Sequence, residues 1–140
     1  MDMDMENTNA VWSQEQEIPT FCHQSPIDRR YPAPNMSHVW ADQHRILMMR
    51  QLWIHLAICQ KDLGVTVILD KGINEMKRRC YHIDNHIIAE YERKFKHDIV
   101  ANIHAFSDLC PSARPFIHLA ATSNFINDNL DLIRIKSSLE

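Results

Sequence analysis

Apolar residues recur at helical spacing along most of the chain. From Ser37 to Leu63 they fall at Met49, Leu52, Trp53, Leu56, Ala57 and Leu63, with Gln60 as a break. That i, i+3, i+4, i+7 rhythm predicts a long amphipathic helix. Ser37 is its expected N-cap, and Gly64 stands where a left-handed C-terminal residue belongs. A short helix is expected from Asp70, carrying Ile73 and Met76. A third is expected near Asp84, with Ile87, Ile88, Tyr91 and Phe95 turned inward. A fourth runs from about Asp98 through Ile99, Val100, Ile103 and Phe106, and stops before Pro111. After a loop over PSARPFIHLAA, a last helix begins near Thr122 or Ser123. Residues 25–36, SPIDRRYPAPNM, hold three prolines and read as an ordered loop or extended segment. Residues 1–24 are polar and aperiodic, and are expected to form a disordered acidic leader with Trp12 and Phe21 as docking points.

The last helix differs from the others. Phe125, Ile126, Leu130, Leu132, Ile133, Ile135 and Leu139 place apolar groups around much of its circumference. A helix apolar on more than one side is buried among several neighbours. The expectation is a long core helix of which this sequence holds only the start. The organisation read from the chain is therefore a leader at 1–24, a helical domain at 25–121, and the opening of a helical bundle at 122–140. Only two glycines occur, Gly64 and Gly72. A β-rich or dinucleotide-binding protein needs more for its turns and phosphate loops, so the fold class is all-α.

Composition narrows the function classes. Apolar residues make up 45% and charged residues 24% of the 140 residues, the balance of a soluble globular domain. A formal net charge of -3 and a pI of about 6.3 argue against nucleic acid as a partner, since that requires a strongly basic face. The four cysteines, Cys22, Cys59, Cys80 and Cys110, contain no C-x-x-C pair. They read as reduced packing thiols in a reducing compartment. The start, MDMDMENTNA, lacks the apolar core of a secretory signal. No run approaches the ~20 apolar residues of a membrane helix. The expected location is the cytoplasm, without membrane attachment.

Three polar clusters interrupt the helical pattern. Asp28-Arg29-Arg30-Tyr31 offers planar cationic forks beside a hydroxyl, a phosphate-binding combination; on spacing alone the plainer account, a solvated loop with a structural tyrosine, is favoured. Lys96-His97-Asp98 combines charge, a group that exchanges protons near neutrality, and a carboxylate able to orient an imidazole; the plainer account is a capping aspartate beside two exposed side chains. His118-Leu119-Ala120-Ala121-Thr122-Ser123 places hydroxyls at a helix start, suited to a carboxylate or phosphate, or simply to capping. His82 and His86 share i, i+4 spacing on a possible helix, and His97 and His104 lie seven apart. Neither pair has the third ligand zinc needs, so no metal site is expected.

Together these stretches resemble the adenylosuccinate lyase family of the fumarase/aspartase superfamily. SPIDRRYPAPNM is similar to the family's S-P-L-x-x-R-Y-x-x-P-x-M opening. RQLWIHLAICQKDLG resembles R-x-L-W-x-x-L-A-x-x-x-x-x-L-G, and KHDIVANIHAF resembles R-H-D-V-x-A-H-V-H-x-F. IHLAATSNFINDNLDL is similar to I-H-L-G-A-T-S-x-x-V-x-D-N-x-D-L. The resemblance covers about residues 25 to 140 in order, with His97, His104 and His118 at family histidine positions.

The resemblance implies the N-terminal helical domain of the fumarase/aspartase-like fold, in a homotetramer whose active sites draw on several subunits. It implies a cofactor-free β-elimination in purine nucleotide biosynthesis. That reaction releases fumarate from adenylosuccinate, giving AMP, and from the succinylo-carboxamide ribotide. Arg30 and Tyr31 would hold the nucleotide phosphate. Lys96, His97 and Asp98 would line the substrate site, with His97 positioning substrate and assisting proton transfer and Asp98 orienting it. Thr122 and Ser123 would hold a carboxylate of the departing fumarate. Three departures stand out. Lys96 replaces the usual arginine, Asn127 replaces a glycine, and Ala120 replaces the glycine of H-L-G-A-T-S, where positive φ would strain an alanine. The family's second catalytic histidine and its serine loop, S-S-x-M-P-x-K-x-N-P, have no counterpart in these 140 residues. The expectation is a chain without turnover of its own that is poorly folded or self-associating when isolated. The alternative is a non-catalytic truncated paralogue that docks on full-length lyase subunits.

Overall fold

The computed structural model describes residues 26–31 and 33–140, the side chains of Asp28 and Arg29 excepted. Among these residues the architecture is all-helical, as the periodicity predicts. The expected leader, with Trp12 and Phe21, lies outside the described residues. Seven helices follow in order: α1 Pro26–Arg30, α2 Pro34–Val39, α3 Asp42–Asp62, α4 Asp70–Arg79, α5 Asn85–Phe95, α6 Asp98–Leu109 and α7 Ser123–Leu139. None of them is long and apolar enough to cross a membrane.

The proline-rich stretch departs from its expected loop or extended form, because it holds α1 and α2. Pro26 opens α1 and Pro34 opens α2. Proline is tolerated in a first helical turn, where its missing N–H would have had no partner. Pro26 and Pro34 therefore mark helix starts and not interruptions. Ser37, the expected N-cap of the long helix, lies buried inside α2. The long helix starts at Asp42, after Ala41 in extended conformation. At its other end Gly64 takes the predicted left-handed conformation, at φ 89°.

Helix α3 is the spine. Its buried side chains Met49, Trp53, Ile54 and Ala57 meet Ile73 and Met76 of α4, Ile99 and Phe106 of α6, and Ile126 and Leu130 of α7 in one core. Arg50 is buried in this core at 1% exposure. Its Nη1 donates to the carbonyls of Arg79 (3.3 Å), Cys80 (3.0 Å) and His82 (2.7 Å), and its guanidinium lies 4.7 Å from the centre of the Phe106 ring. The last carbonyls of a helix have no partner within it, and Arg50 supplies one to the end of α4. Burial pushes its pKa down to about 10, which leaves it a cation at neutral pH.

Helices α5 and α6 form an antiparallel hairpin. Phe95 stacks on His104 at 4.5 Å, Tyr91 stacks on His104 at 5.3 Å, and the Tyr91 hydroxyl donates to Asp108 at 2.6 Å. Of the four residues expected to face inward from α5, Ile88 is buried and Tyr91 half-buried. Ile87 and Phe95 are 40% and 36% exposed, because α5 packs chiefly against one neighbour. His82 precedes α5, so it shares no helix with His86. His97 lies just outside α6, so it shares no helix with His104.

The segment 111–120 is a succession of tight turns that joins the same core: Ala113, Phe116 and Ile117 are buried in it. Glu75 of α4 accepts from the Ser112 N–H at 2.9 Å and from its hydroxyl at 3.0 Å. Gln60 of α3 donates to the Leu119 carbonyl at 2.8 Å. A Cβ on Gly72 would lie 2.5 Å from Phe116 Cζ and 2.8 Å from the Ser112 carbonyl oxygen, closer than carbon contacts allow. The approach of α4 to this segment therefore depends on Gly72. Gly72→Ala is expected to cost about 2 kcal/mol through overpacking. A urea unfolding midpoint equal to that of the unsubstituted chain would exclude this account.

Candidate functional site

The site forms where three chain reversals meet. Helix α5 ends at Lys96, which takes the left-handed conformation at φ 54° and donates its N–H to the Glu92 carbonyl. His97 is then extended, at φ -152° and ψ 116°, and caps α6. Asp98 begins α6, where a carboxylate is favoured by the helix dipole. Across the gap, His118 and Ala120 take φ values of 66° and 55°. They turn the chain so that Thr122 caps α7 and Ser123 opens it.

These turns bring His97, Asp98 and Ser123 together. His97 Nδ1 lies 3.5 Å from Asp98 Oδ1, and His97 Nε2 lies 3.4 Å from Ser123 Oγ. With the Nδ1 proton directed at Asp98, Nε2 is the acceptor facing the Ser123 hydroxyl. Asp98 is held from its other oxygen: Arg45 Nη2 donates to Oδ2 at 2.8 Å and to Asn127 Oδ1 at 3.1 Å. Partial burial opposes ionisation of Asp98. The hydrogen bond from Arg45, the Ile99 amide, and the charges of Arg45 and His97 outweigh it and hold the carboxyl below its usual range. At neutral pH Asp98 is thus an anion placed to orient the His97 imidazole.

His118 lies behind this cluster. Trp53 Nε1, buried in the core, donates to His118 Nδ1 at 3.0 Å. That bond requires an unprotonated Nδ1, so the proton of the neutral ring is on Nε2. Burial pushes the His118 pKa below its ordinary value, and the neighbouring His97 adds to the shift.

Two other expected residues stand apart. Arg30 ends α1 and is exposed, and Tyr31 follows it at 76% exposure. No hydrogen bond or ion pair among the described residues joins either to the His97 cluster. Thr122 makes no side-chain capping bond and is exposed, so its hydroxyl is open to solvent. Lys96 is exposed beside the cluster. Among the described residues no group of three or more His, Cys, Asp or Glu side chains is arranged to hold a metal ion. Arg45, Trp53 and Asn127 complete the site without having been marked for it by pattern. Arg45 was detectable in principle: it is four residues before Met49 and eight before Trp53, a charge on the face of α3 that meets the core. Asn127 was visible only as a departure from glycine.

Two predictions follow from this geometry. Burial lowers the pKa of His118 and of His44. As pH falls through the ordinary histidine value of about 6.5, the unfolded chain takes up protons at these sites before the folded chain does. Stability present above that pH is therefore lost on acidification toward the folded values. The thermal midpoint should fall between about pH 7 and about pH 5.5, and fall less in His118→Gln, which keeps an acceptor for Trp53; equal slopes would remove His118 from the account. The second concerns Ala120. Left-handed backbone costs a non-glycine residue about 1–2 kcal/mol, only partly offset by the greater freedom of glycine when unfolded. Ala120→Gly should stabilise by about 0.5–1 kcal/mol, whereas Ala121→Gly should destabilise. A lower thermal midpoint for Ala120→Gly would show that the strain is not felt.

No protein-family model matches the chain. It is 37% identical over 118 residues to the adenylosuccinate lyase of Saccharomyces cerevisiae, covering 83% of this chain and 24% of that protein. It is 40% identical over 117 residues to the adenylosuccinate lyase of Schistosoma mansoni, covering 84% and 24%. With that of Methanocaldococcus jannaschii it shares 34% identity over 118 residues, covering 82% and 25%. The chain thus spans about a quarter of the length of these relatives. Matched along most of its own length by proteins of one name from distant organisms, the chain is a relative of the N-terminal portion of adenylosuccinate lyases.

Proposed function

We propose that this chain supplies one part of a composite site for the β-elimination of fumarate from adenylosuccinate and from the succinylo-carboxamide ribotide. The observation that carries the reading is His97 set between the Asp98 carboxylate and the Ser123 hydroxyl at the start of α7. In this reading Asp98 keeps the imidazole oriented, and His97 positions substrate and assists proton transfer. Thr122 and Ser123 receive a fumarate carboxylate at the helix N-terminus, where free N–H groups and the dipole favour an anion. Lys96 adds a cation at the rim, and Arg30 and Tyr31 take the nucleotide phosphate. The elimination removes a proton from the carbon next to the one bearing nitrogen. The C–N bond then breaks, and the departing nitrogen is reprotonated. No group in this cluster is placed as the base for the first of these steps. In this reading that role belongs to the family's serine loop, and a second acid–base role to the family's second catalytic histidine, neither of which has a counterpart among these 140 residues.

The reading extends to the assembly that the family resemblance implies. Residues 25–121 act as the N-terminal helical domain, and residues 122–140 enter a bundle shared between subunits of a homotetramer in the cytoplasm. One observation also favours the second reading, in which the chain docks on full-length lyase subunits. Leu132, Ile135 and Leu139 of α7 are 67%, 48% and 83% exposed, an unpartnered apolar surface of the kind that marks an interaction site.

The test is fumarate release and ligand binding by the purified chain. No sustained release from adenylosuccinate is expected, and turnover by the chain alone would overturn the composite-site reading. Binding of adenylosuccinate by calorimetry should weaken by about tenfold in Ser123→Ala and in His97→Asn, the loss expected for one hydrogen bond to a charged group. Unchanged binding in both variants would remove this cluster from the substrate site. Co-purification with a full-length lyase distinguishes the second reading.

A further inference from the structure

We propose that Arg45 is a positioning residue that sets the distance between His97 and Ser123, with Asn127 as its second anchor. The inference rests on the composite-site reading for its functional meaning, but its geometry is independent of it. His97 and Ser123 belong to different parts of the chain, 26 residues apart. One lies at the start of α6 and the other at the start of α7. Their 3.4 Å approach is at the edge of hydrogen-bond range and does not hold itself together.

Arg45 of α3 spans that gap. The same Nη2 donates to Asp98 on α6 and to Asn127 on α7. Asn127 lies one helical turn beyond Ser123, so fixing it fixes the start of α7. Asp98 in turn faces the His97 ring through its remaining oxygen, and the Asn102 amide donates to the Asp98 backbone carbonyl at 3.0 Å. One guanidinium nitrogen therefore ties both sides of the site to α3. The Arg45 and Asp98 side chains are 27% and 40% exposed. An ion pair this exposed adds little to global stability, which separates positioning from folding. A lysine at position 45 would keep the charge but lose the planar, preorganised donor geometry. Asn127 gives Arg45 a side-chain oxygen as acceptor, which a glycine there would not.

The experiment reads the His97–Ser123 distance through chemistry. A thiol introduced by Ser123→Cys sits beside the His97 ring and at a helix N-terminus, both of which favour the reactive thiolate. Its rate of alkylation by iodoacetamide is followed by mass spectrometry of the whole chain's peptides. Exposed Cys59 serves as the reference, and buried Cys80 and Cys110 report unfolding. Adding Arg45→Met should slow the introduced thiol by about fivefold or more relative to Cys59, with Cys80 and Cys110 still protected. Arg45→Lys should fall between, and Asn127→Gly should slow it about twofold. An unchanged ratio in Arg45→Met overturns the proposal. If Arg45→Met exposes Cys80 and Cys110, Asn127→Gly decides: a slower introduced thiol supports positioning, and an unchanged one overturns it. Fumarate as a probe separates the two readings. Failure of fumarate to protect the introduced thiol, with the Arg45 dependence intact, removes the substrate assignment and leaves the positioning role standing.

Discussion

The structure depends on one buried cation. Arg50 is among the most deeply buried large side chains of the described residues, and its Nη1 donates to three carbonyl oxygens instead of a carboxylate. Burying an unpaired charge is costly, and this one is tolerated because three partially negative carbonyls and the face of Phe106 surround it. The arrangement fastens the end of α4 to the middle of α3. That fixes where α4 presents Gly72 and Glu75, and those two residues receive the 111–120 turns. The turns aim His118 and the start of α7. The placement of Ser123 beside His97 is thus the last link of a chain of contacts that begins at Arg50.

This hierarchy explains what was legible in the sequence. The all-α class, the spine helix and the position of Gly64 followed from periodicity and a single glycine, because burial against α3 imposes the helical period on the sequence. The proline-rich segment was misread because proline interrupts a helix interior yet suits a first turn, and residue type alone does not distinguish the two. The expected N-cap of α3, Ser37, lies four residues before the observed one, Ala41, since α2 precedes α3 with only Trp40 and Ala41 between. Hydroxyls and charge near helix ends marked His97, Asp98 and Ser123 as one cluster only through the resemblance, since their contacts join residues far apart in the chain. Arg45 belongs to α3 and reads as an ordinary helix charge until α6 and α7 are folded against it. The strain foreseen at Ala120 is present as a left-handed backbone, because a turn geometry can be inferred from a glycine that the sequence has replaced.

The two ends of the described chain behave differently. Trp40 donates to Ser138 at 3.0 Å, and Arg134 lies 4.3 Å from the Trp40 ring centre while its Nε donates to the Val39 carbonyl. These contacts close α2 onto the second half of α7, so the helix that begins at the site is fastened again near its end. One side of α7 is committed to this core through Ile126 and Leu130, and Leu132, Ile135 and Leu139 face away. A single helix therefore carries site residues at its start, core residues on one face and an unpartnered apolar surface on another.

The left-handed residues Lys96, His118 and Ala120 have a consequence for the order of assembly. None is a glycine, so none prefers its native backbone conformation in an isolated segment. Lys96 is held locally, by its N–H on the Glu92 carbonyl, whereas the 118–120 corner is held by Trp53 on His118 and Gln60 on the Leu119 carbonyl, contacts that exist only after α3 has met this segment. The helices can form early on local preference, whereas the 118–120 corner beside the site sets late. Interactions absent from the folding transition state affect chiefly the rate of unfolding. The site's geometry is accordingly a matter of persistence more than of speed: the chain folds at a pace governed by its core and keeps its site for as long as the corners hold.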